Sequence, residues 1–186
     1  QFLPGHRGCA VVDYGGLAES ARAHVTNIFP IPDKLSYEKA ITFTNTYATS
    51  LAALSWHHLL NLKENQTLLV HGATGGVGSA AVEIAKAQGV RVIAAVSNPK
   101  KIESAEAFGA DQVILNKPAS FKNKIMALTN NKGVDAVFDP IGGDIFLESI
   151  RCLKPEGRIA QIGFASGNIP SIPANLLLIN CLLYTS

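Results

Sequence analysis

The chain has 186 residues, of which 47% are hydrophobic and 16% charged, a composition that supports a buried core and excludes a disordered chain. The formal net charge is +2 and the basic residues are scattered, which argues against a specific nucleic-acid surface. No apolar run is long enough to cross a bilayer, and no secretory signal is visible.

The first 35 residues are predicted to be mostly irregular. Tyr14-Gly15-Gly16 is turn-like, and Phe29-Pro30-Ile31-Pro32 is predicted to be extended because proline restricts the residue before it. This stretch has too few apolar positions to form a domain, so we interpret residues 1–35 as the tail of a preceding domain. Residues 36–60 are predicted to be largely helical, with one helix opened by Ser36 and another over 51–60.

From residue 67 onward, short apolar strands alternate with helices. Apolar residues recur at helical spacing from Val77 to Ala85, and Asn98 is a suitable N-cap with Pro99 at the first helical position. Five strands joined by helices predict an α/β fold with a doubly wound parallel sheet. The strands are predicted at 67–72, 91–96, 112–115, 134–138 and 157–163.

A glycine-rich turn joins the first of these strands to its helix. Ala73, Gly75 and Gly78 take the three positions at which a dinucleotide-binding turn carries small residues. Free backbone N–H groups at the start of the helix would then bind a pyrophosphate. The whole turn, Ala73-Thr74-Gly75-Gly76-Val77-Gly78, is therefore predicted to bind a nicotinamide dinucleotide, with a plain tight turn as the alternative.

The end of the second strand indicates which dinucleotide is bound. NAD enzymes usually carry Asp or Glu about 20 residues beyond the glycines, where it binds the ribose 2′-hydroxyl. Here the sequence is Val96-Ser97-Asn98-Pro99-Lys100-Lys101, with no carboxylate before Glu103. Ser97, Asn98 and a lysine would bind a 2′-phosphate that a carboxylate would repel. The sequence therefore favours NADPH, the alternative being that the two lysines are only the solvated start of a helix.

Three segments of the chain are the most specific, and they are His71-Gly72-Ala73-Thr74-Gly75-Gly76-Val77-Gly78, Phe138-Asp139-Pro140-Ile141-Gly142-Gly143 and Gly163-Phe164-Ala165-Ser166-Gly167. Together these motifs resemble the medium-chain dehydrogenase/reductase superfamily, in its zinc-independent quinone oxidoreductase branch. The resemblance implies that 36–180 is a Rossmann domain for NADPH, truncated so that its sixth strand is missing. It also implies that 1–35 is the remnant of a GroES-like β domain and that 181–186 is a non-native tail.

The resemblance also implies further contacts with the cofactor. Thr49 would lie near the nicotinamide or its phosphates, and Asn116 falls where some members carry a tyrosine against the adenosine. The residues that match the family's contacts with the 2′-phosphate are Ser97, Asn98 and Lys101. Those that would line the nicotinamide side at the end of the fifth strand are Gly163, Phe164 and Ala165.

Zinc is not expected. Zinc members of the superfamily bind the metal through thiolate, imidazole or carboxylate groups. Their four-cysteine lobe would fall between Arg7 and Leu17, where only Cys9 is present, and residues 40–50 contain no Cys, His, Asp or Glu. His57 and His58 have no partner ligand at a suitable spacing and are interpreted as surface residues.

No catalytic residue is assigned, because the sequence contains no triad, paired-carboxylate site or nucleophile elbow. His71 is interpreted as a core or cofactor-edge histidine and Asp139 as a turn residue before proline. The hypothesis is an NADPH-dependent reductase that transfers hydride directly to a quinone, with the protein orienting the cofactor and excluding water. Two alternatives stay open, an NADPH-dependent enoyl or 2-alkenal reductase and a non-catalytic NADPH-binding protein like some crystallins.

The three cysteines, Cys9, Cys152 and Cys181, are far apart and favour free thiols in a reducing compartment. We expect a cytoplasmic protein, with a mitochondrial location also open because the true N-terminus is not seen. The resemblance implies a full-length homodimer that acts on a small quinone or enone, without a membrane or nucleic-acid partner. The chain as it stands is expected to be inactive.

Overall fold

The computed structural model describes residues 2–116, 121–173, 175–176 and 183–185. The chain divides into two compact units, Gln1–Ala48 and Thr49–Ser186. The sequence placed a domain boundary after residue 35, and that boundary stays a prediction.

The first unit contains a two-stranded antiparallel sheet of β1 (Gly8–Ala10) and β2 (Ile28–Pro30). This stretch was expected to be irregular apart from an extended 29–32, and pairing over so few residues leaves no periodic signal in the sequence. A continuous helical run follows, formed by α1 (Tyr37–Thr42), a π-helical turn (Phe43–Tyr47) and α2 (Ala48–Ser55). Ser36 caps α1, because its hydroxyl accepts a hydrogen bond from the Lys39 N–H at 3.3 Å.

The helical run ends earlier than predicted. Residues 51–60 were expected to form a second helix, but α2 begins at Ala48 and ends at Ser55. The Leu60 N–H turns back to Ala53 O at 3.0 Å, and the Leu62 N–H reaches Leu54 O at 2.9 Å. The chain therefore folds back along its own helix, which buries Leu60 without another helical turn.

The second unit is built on a parallel sheet with the strand order β5-β4-β3-β6-β7, which confirms the predicted doubly wound α/β fold. Neighbouring strands pair in parallel throughout. The first four predicted strands match the observed ones closely at both ends, whereas the last begins and ends earlier than predicted. The strands are β3 (Thr67–His71), β4 (Arg91–Val96), β5 (Gln112–Leu115), β6 (Val134–Asp139) and β7 (Leu153–Gln161).

A sixth strand, β8 (Leu183–Thr185), pairs in parallel with β7 at the edge of the sheet. The sequence was expected to leave the place of a sixth strand empty, and residues 183–185 pair there with β7. Without β8, the edge of β7 would present unpaired N–H and C=O groups, and residues 183–185 pair along this edge. The non-native origin suggested for 181–186 stays a prediction.

Helices cover both faces of the sheet and bury it. On one face the core includes Leu68, Val70 and Ala81, and on the other it includes Leu69 and Phe146. Burial on both faces explains why β3 and β4 are nearly continuous apolar runs without polar alternation. The helices are α3 (Gly76–Ala87), α4 (Ile102–Ala107), α5 (Phe121–Leu128) and α6 (Asp144–Ile150).

The order of the strands creates a crevice. From β3 the chain runs outward to β4 and β5, and then returns to β6 on the opposite side of β3. The loops after β3 and β6 therefore diverge at the carboxyl edge of the sheet, the position at which doubly wound sheets bind their ligands.

Candidate cofactor site

The turn between β3 and α3 exposes backbone donors at the start of a helix. Gly75 is the N-cap of α3 and provides no capping side chain, so the first-turn N–H groups of Gly76, Val77 and Gly78 have no acceptor within the helix. The Gly75 N–H itself donates to Gly72 O at 2.8 Å, which closes the turn. Three free N–H groups and the positive end of the helix dipole can cradle a phosphate.

Gly78 lets the helix approach the turn closely. A Cβ atom at this position would lie 2.1 Å from Gly72 O and 3.0 Å from Ala73 Cα, distances that no side chain can occupy. Gly72 itself adopts a φ of +57°, in the left-handed region. The third glycine of the motif therefore serves the packing of α3 on the turn.

A cavity of about 390 Å³ lies in the crevice at this turn. One side is the glycine turn, the second is the end of β4 with Asn116, and the third is an apolar wall from the loops after β6 and β7. Such a volume is in the range of small-molecule and cofactor sites. The lining residues are Gly72, Thr74, Gly75, Val77, Gly78, Ala95, Val96, Ser97, Lys101, Asn116, Pro140, Ile141, Ile145 and Ala165.

The side at β4 is electropositive. Lys101 is the one charged residue among the described residues that line the cavity, and no carboxylate is among them. Asn98 does not line the cavity. Its Oδ1 accepts the Lys100 N–H at 2.9 Å and caps a 3-10 turn (Pro99–Lys101). The predicted capping role of Asn98 is confirmed.

The apolar wall is formed by two loops that follow neighbouring strands. We call residues 139–143 and 163–168 the paired loops. The Ala165 N–H donates to Pro140 O at 3.1 Å and the Ser166 N–H donates to Ile141 O at 3.0 Å. This pairing continues the β6–β7 ladder beyond the strands and brings Ala165 beside Pro140 and Ile141.

Asn116 contributes a polar atom to the cavity. Its Oδ1 is buried and has no hydrogen-bond partner within the described part of the chain, although the residue lines the cavity. Its backbone N–H donates to Val96 O at 2.8 Å, which fixes it beside the end of β4. An unpartnered acceptor costs free energy unless a ligand donor reaches it, so this atom fits a cavity that is filled.

His71 lies behind the cavity, in the core. It is fully buried, and burial lowers its pKa to about 3, so the imidazole is neutral. Ser149 Oγ donates to Ile145 O at 2.7 Å and has no second hydrogen, so it accepts from His71 Nε2 at 2.7 Å. This assigns the Nε2–H tautomer and makes His71 a core histidine, one of the two roles expected.

The structure brings only part of the predicted set to the cavity. Seven predicted residues line it, namely Thr74, Gly75, Val77, Gly78, Ser97, Lys101 and Ala165. Ala73 is fully buried beneath the turn, and Gly76 is exposed at the start of α3. The predicted residues that do not line the cavity are Thr49, Ala73, Gly76, Asn98, Gly163 and Phe164.

Sequence reasoning missed the apolar residues of the cavity. Ala95 and Val96 are the last residues of a buried strand, and this position alone could have identified them. Pro140 and Ile141 belong to a motif that was recognised without being assigned to the site. No feature of the sequence identifies Ile145 as a cavity residue, because its position beside the cavity depends on how α6 packs.

Neither a metal centre nor a membrane-spanning helix is found among the described residues. No group of three or more His, Cys, Asp or Glu side chains could hold a metal ion. No described helix is both long and apolar enough to span a membrane. A larger cavity, of about 750 Å³, lies in the first unit, but its lining is apolar apart from Lys34 and a few small groups and offers no phosphate-binding turn.

The fold and the cavity together define an α/β protein of the doubly wound class with a glycine turn at its switch point. Residues 76–184 match the family model of the zinc-binding dehydrogenases. The chain is 36% identical over 176 residues to quinone oxidoreductase-like protein 2 of Bos taurus, covering 94% of this chain and 50% of that protein. The chain thus spans about half the length of the curated relatives it matches.

Solved structures agree with this comparison. The quinone oxidoreductase of Thermus thermophilus, also solved in complex with NADPH, matches with a TM-score of 0.84 and 32% identity, covering 98% of this chain and 57% of that one. The CurK enoyl reductase matches with a TM-score of 0.75 and 28% identity, covering 86% of this chain and 47% of that one. The chain belongs to the zinc-binding dehydrogenase family, as a quinone oxidoreductase-like member of the medium-chain dehydrogenase/reductase superfamily.

Proposed function

We propose that the full-length protein is an NADPH-dependent oxidoreductase that transfers hydride to a quinone without a zinc ion. The observation that carries the proposal is a cavity with a helix N-terminus on one side and Lys101 on another, with no carboxylate among its described lining residues. This charge distribution suits the pyrophosphate and the 2′-phosphate of NADPH. The similarity to an enzyme solved with NADPH supports the same cofactor.

In this proposal the N–H groups of Gly76, Val77 and Gly78 bind the pyrophosphate, with Ala73, Thr74 and Gly75 forming the turn beneath it. Ser97 and Lys101 bind the 2′-phosphate, and Asn98 offers its amide nitrogen to the same group. Bound NADPH would supply the hydride. Its nicotinamide end would face Thr49 and the segment Gly163, Phe164 and Ala165.

The chain's own task at the nicotinamide end is to orient the cofactor and to exclude water. Pro140, Ile141 and Ala165 present carbon atoms to the cavity, so this side lowers the local dielectric and shields a transferring hydride. No Asp, Glu, His, Cys or Tyr is among the described lining residues. Direct hydride transfer to a quinone needs no protein acid in the first step, so this lining is consistent with it.

A reductase of enoyl groups or 2-alkenals is the second candidate, supported by the similarity to the CurK enoyl reductase. The test is NADPH oxidation by the full-length protein with benzoquinone and, separately, with an unsaturated aldehyde. Turnover with the quinone alone is expected. Turnover with the aldehyde alone would favour the second candidate, and NADPH binding without turnover would favour a non-catalytic role. The zinc part of the proposal requires that turnover survive treatment with a chelator.

The cofactor preference is tested by reversing one charge. Lys101→Glu places a carboxylate beside the 2′-phosphate, so the Kd for NADPH should rise at least about tenfold while the Kd for NADH changes less than about twofold. Lys100→Glu is the matched control, because Lys100 is exposed and does not line the cavity, and both Kd values should stay near those of the wild type. Equal losses for NADPH and NADH in Lys101→Glu would contradict the assignment.

A further inference from the structure

Asp139 connects the end of β6 to the first of the paired loops. Its side chain is fully buried, and its Oδ1 accepts hydrogen bonds from the Ile141 N–H at 2.7 Å and the Gly142 N–H at 3.1 Å. Its own carbonyl accepts the Ile162 N–H at 2.8 Å, which holds it in the ladder. One residue therefore belongs to the sheet through its backbone and fixes the loop through its carboxyl group.

Gln161 makes the corresponding connection from β7. Its Nε2 donates both to Asp139 O, at 2.9 Å, and to Gly163 O. Gln161 is the register partner of Asp139. A single amide group thus bridges the first residues of the two loops, at the base of the apolar wall.

The loops touch along their length. A Cβ atom on Gly142 would lie 3.0 Å from Phe164 Cδ1 and 3.1 Å from Asn168 O, and Gly142 has a φ of +72°. A side chain here would strain the backbone and force the neighbouring atoms to move by a few tenths of an ångström. The wall is consequently sensitive to any change that separates them.

We infer that Asp139 and Gln161 are positioning residues that hold the paired loops, and with them the wall of Pro140, Ile141 and Ala165, in the shape that receives the nicotinamide end of the cofactor. The inference rests on the proposed function. Burial raises the pKa of Asp139, so a carboxyl group here costs folding free energy that a turn on the surface would not. Buried ionisable groups retained at such a cost are often found beside functional sites.

Removing the acceptor should loosen the wall without touching the phosphate-binding turn. In Asp139→Ala the Ile141 and Gly142 N–H groups lose their acceptor, so the loops must be ordered when the cofactor binds, which weakens binding. Asp139→Asn keeps an oxygen at the Oδ1 position and should rescue the site. We expect the Kd for NADPH to rise about tenfold in Asp139→Ala and less than about twofold in Asp139→Asn, the range of one or two hydrogen bonds.

The decisive readout is a comparison of two ligands on the full-length protein. NADPH reaches the apolar wall, whereas an adenosine bisphosphate that carries the 2′-phosphate reaches only the turn and the end of β4. Asp139→Ala should weaken NADPH and leave the adenosine ligand unchanged. Gln161→Leu removes both hydrogen bonds that Gln161 Nε2 donates, and it should have the same effect on the two ligands. This variant replaces Asp139→Ala in the test if Asp139→Ala does not fold.

Asp135→Asn is the matched control on the same strand. Asp135 accepts the Thr67 N–H at 2.8 Å and pairs with Lys154 at 2.9 Å, and it does not line the cavity. The Asp135→Asn variant should be less stable than the wild type, with unchanged Kd values for NADPH and for the adenosine bisphosphate. Equal NADPH affinity in wild type and Asp139→Ala, equal loss for both ligands, or failure of Asp139→Asn to rescue would each overturn the inference. Failure of the wild type to bind NADPH would instead overturn the proposed function.

Discussion

At the scale of the residue, packing sets the chemistry of His71. The imidazole is fully buried between the Ser149 hydroxyl and the Phe121 ring. The centroids of the His71 and Phe121 rings are 5.4 Å apart. Because the folded protein has no room to hydrate a charged imidazole, the pKa of His71 is held far below its usual value. His71 therefore adds no charge behind the glycine turn at neutral pH.

This burial predicts how stability depends on pH. The pKa of His71 is near its ordinary value of 6.5 in the unfolded chain and about 3 in the folded protein, so the unfolded state binds more protons between these values. The free energy of unfolding should therefore fall as the pH is lowered from 6.5 towards 3, by up to about 1.4 kcal/mol per pH unit from this residue. Chemical denaturation at several pH values measures the slope.

Two variants isolate the contribution of His71. His71→Gln has no group that titrates in this range and should flatten the dependence, whereas His57→Gln, at an exposed histidine, should leave it as in the wild type. An unchanged slope in His71→Gln would show that other groups cause the acid sensitivity.

At the scale of the element, the strands were predictable and the site's apolar wall was not. β3 and β4 are buried on both faces, so each appears in the sequence as an apolar run with clear ends, and β6 keeps the apolar stretch Ala136-Val137-Phe138. The first half of β7 contains Lys154, Pro155 and Glu156, and its start was missed because these residues are not apolar. The wall combines two loops that lie far apart in the sequence, and periodicity carries no information on loop–loop contacts.

The packing of α3 on the turn after β3 gives a test at this scale. In Gly78→Ala the new Cβ would overlap Gly72 O, so the helix must move away from the turn, with an expected loss of about 3 kcal/mol or more and of NADPH binding. Gly16→Ala makes the same chemical change where no atom lies within 4 Å, and should alter stability by less than about 0.5 kcal/mol. A wild-type unfolding midpoint for Gly78→Ala would contradict the packing described.

At the scale of the whole second unit, the cavity is shared by two parts of the chain. Residues from Gly72 to Asn116 form the turn and the β4 side, and residues from Pro140 to Ala165 form the apolar wall. The two parts meet along the β3–β6 seam, where Leu68, Leu69 and Val70 pair with β6. A dinucleotide in the cavity would contact both parts at once.

The strand order thus makes the proposed cofactor a non-covalent cross-link between the two halves of the sheet. Amide hydrogen exchange of the full-length protein should slow on both sides of the seam when NADPH is added, and it should slow only in the turn and at the end of β4 with the adenosine bisphosphate. Protection confined to one side with both ligands would contradict this arrangement. NADPH would be bound mainly through its phosphates, on the β3–β4 side of the seam. Its binding would nevertheless determine how often the β6–β7 side of the domain opens.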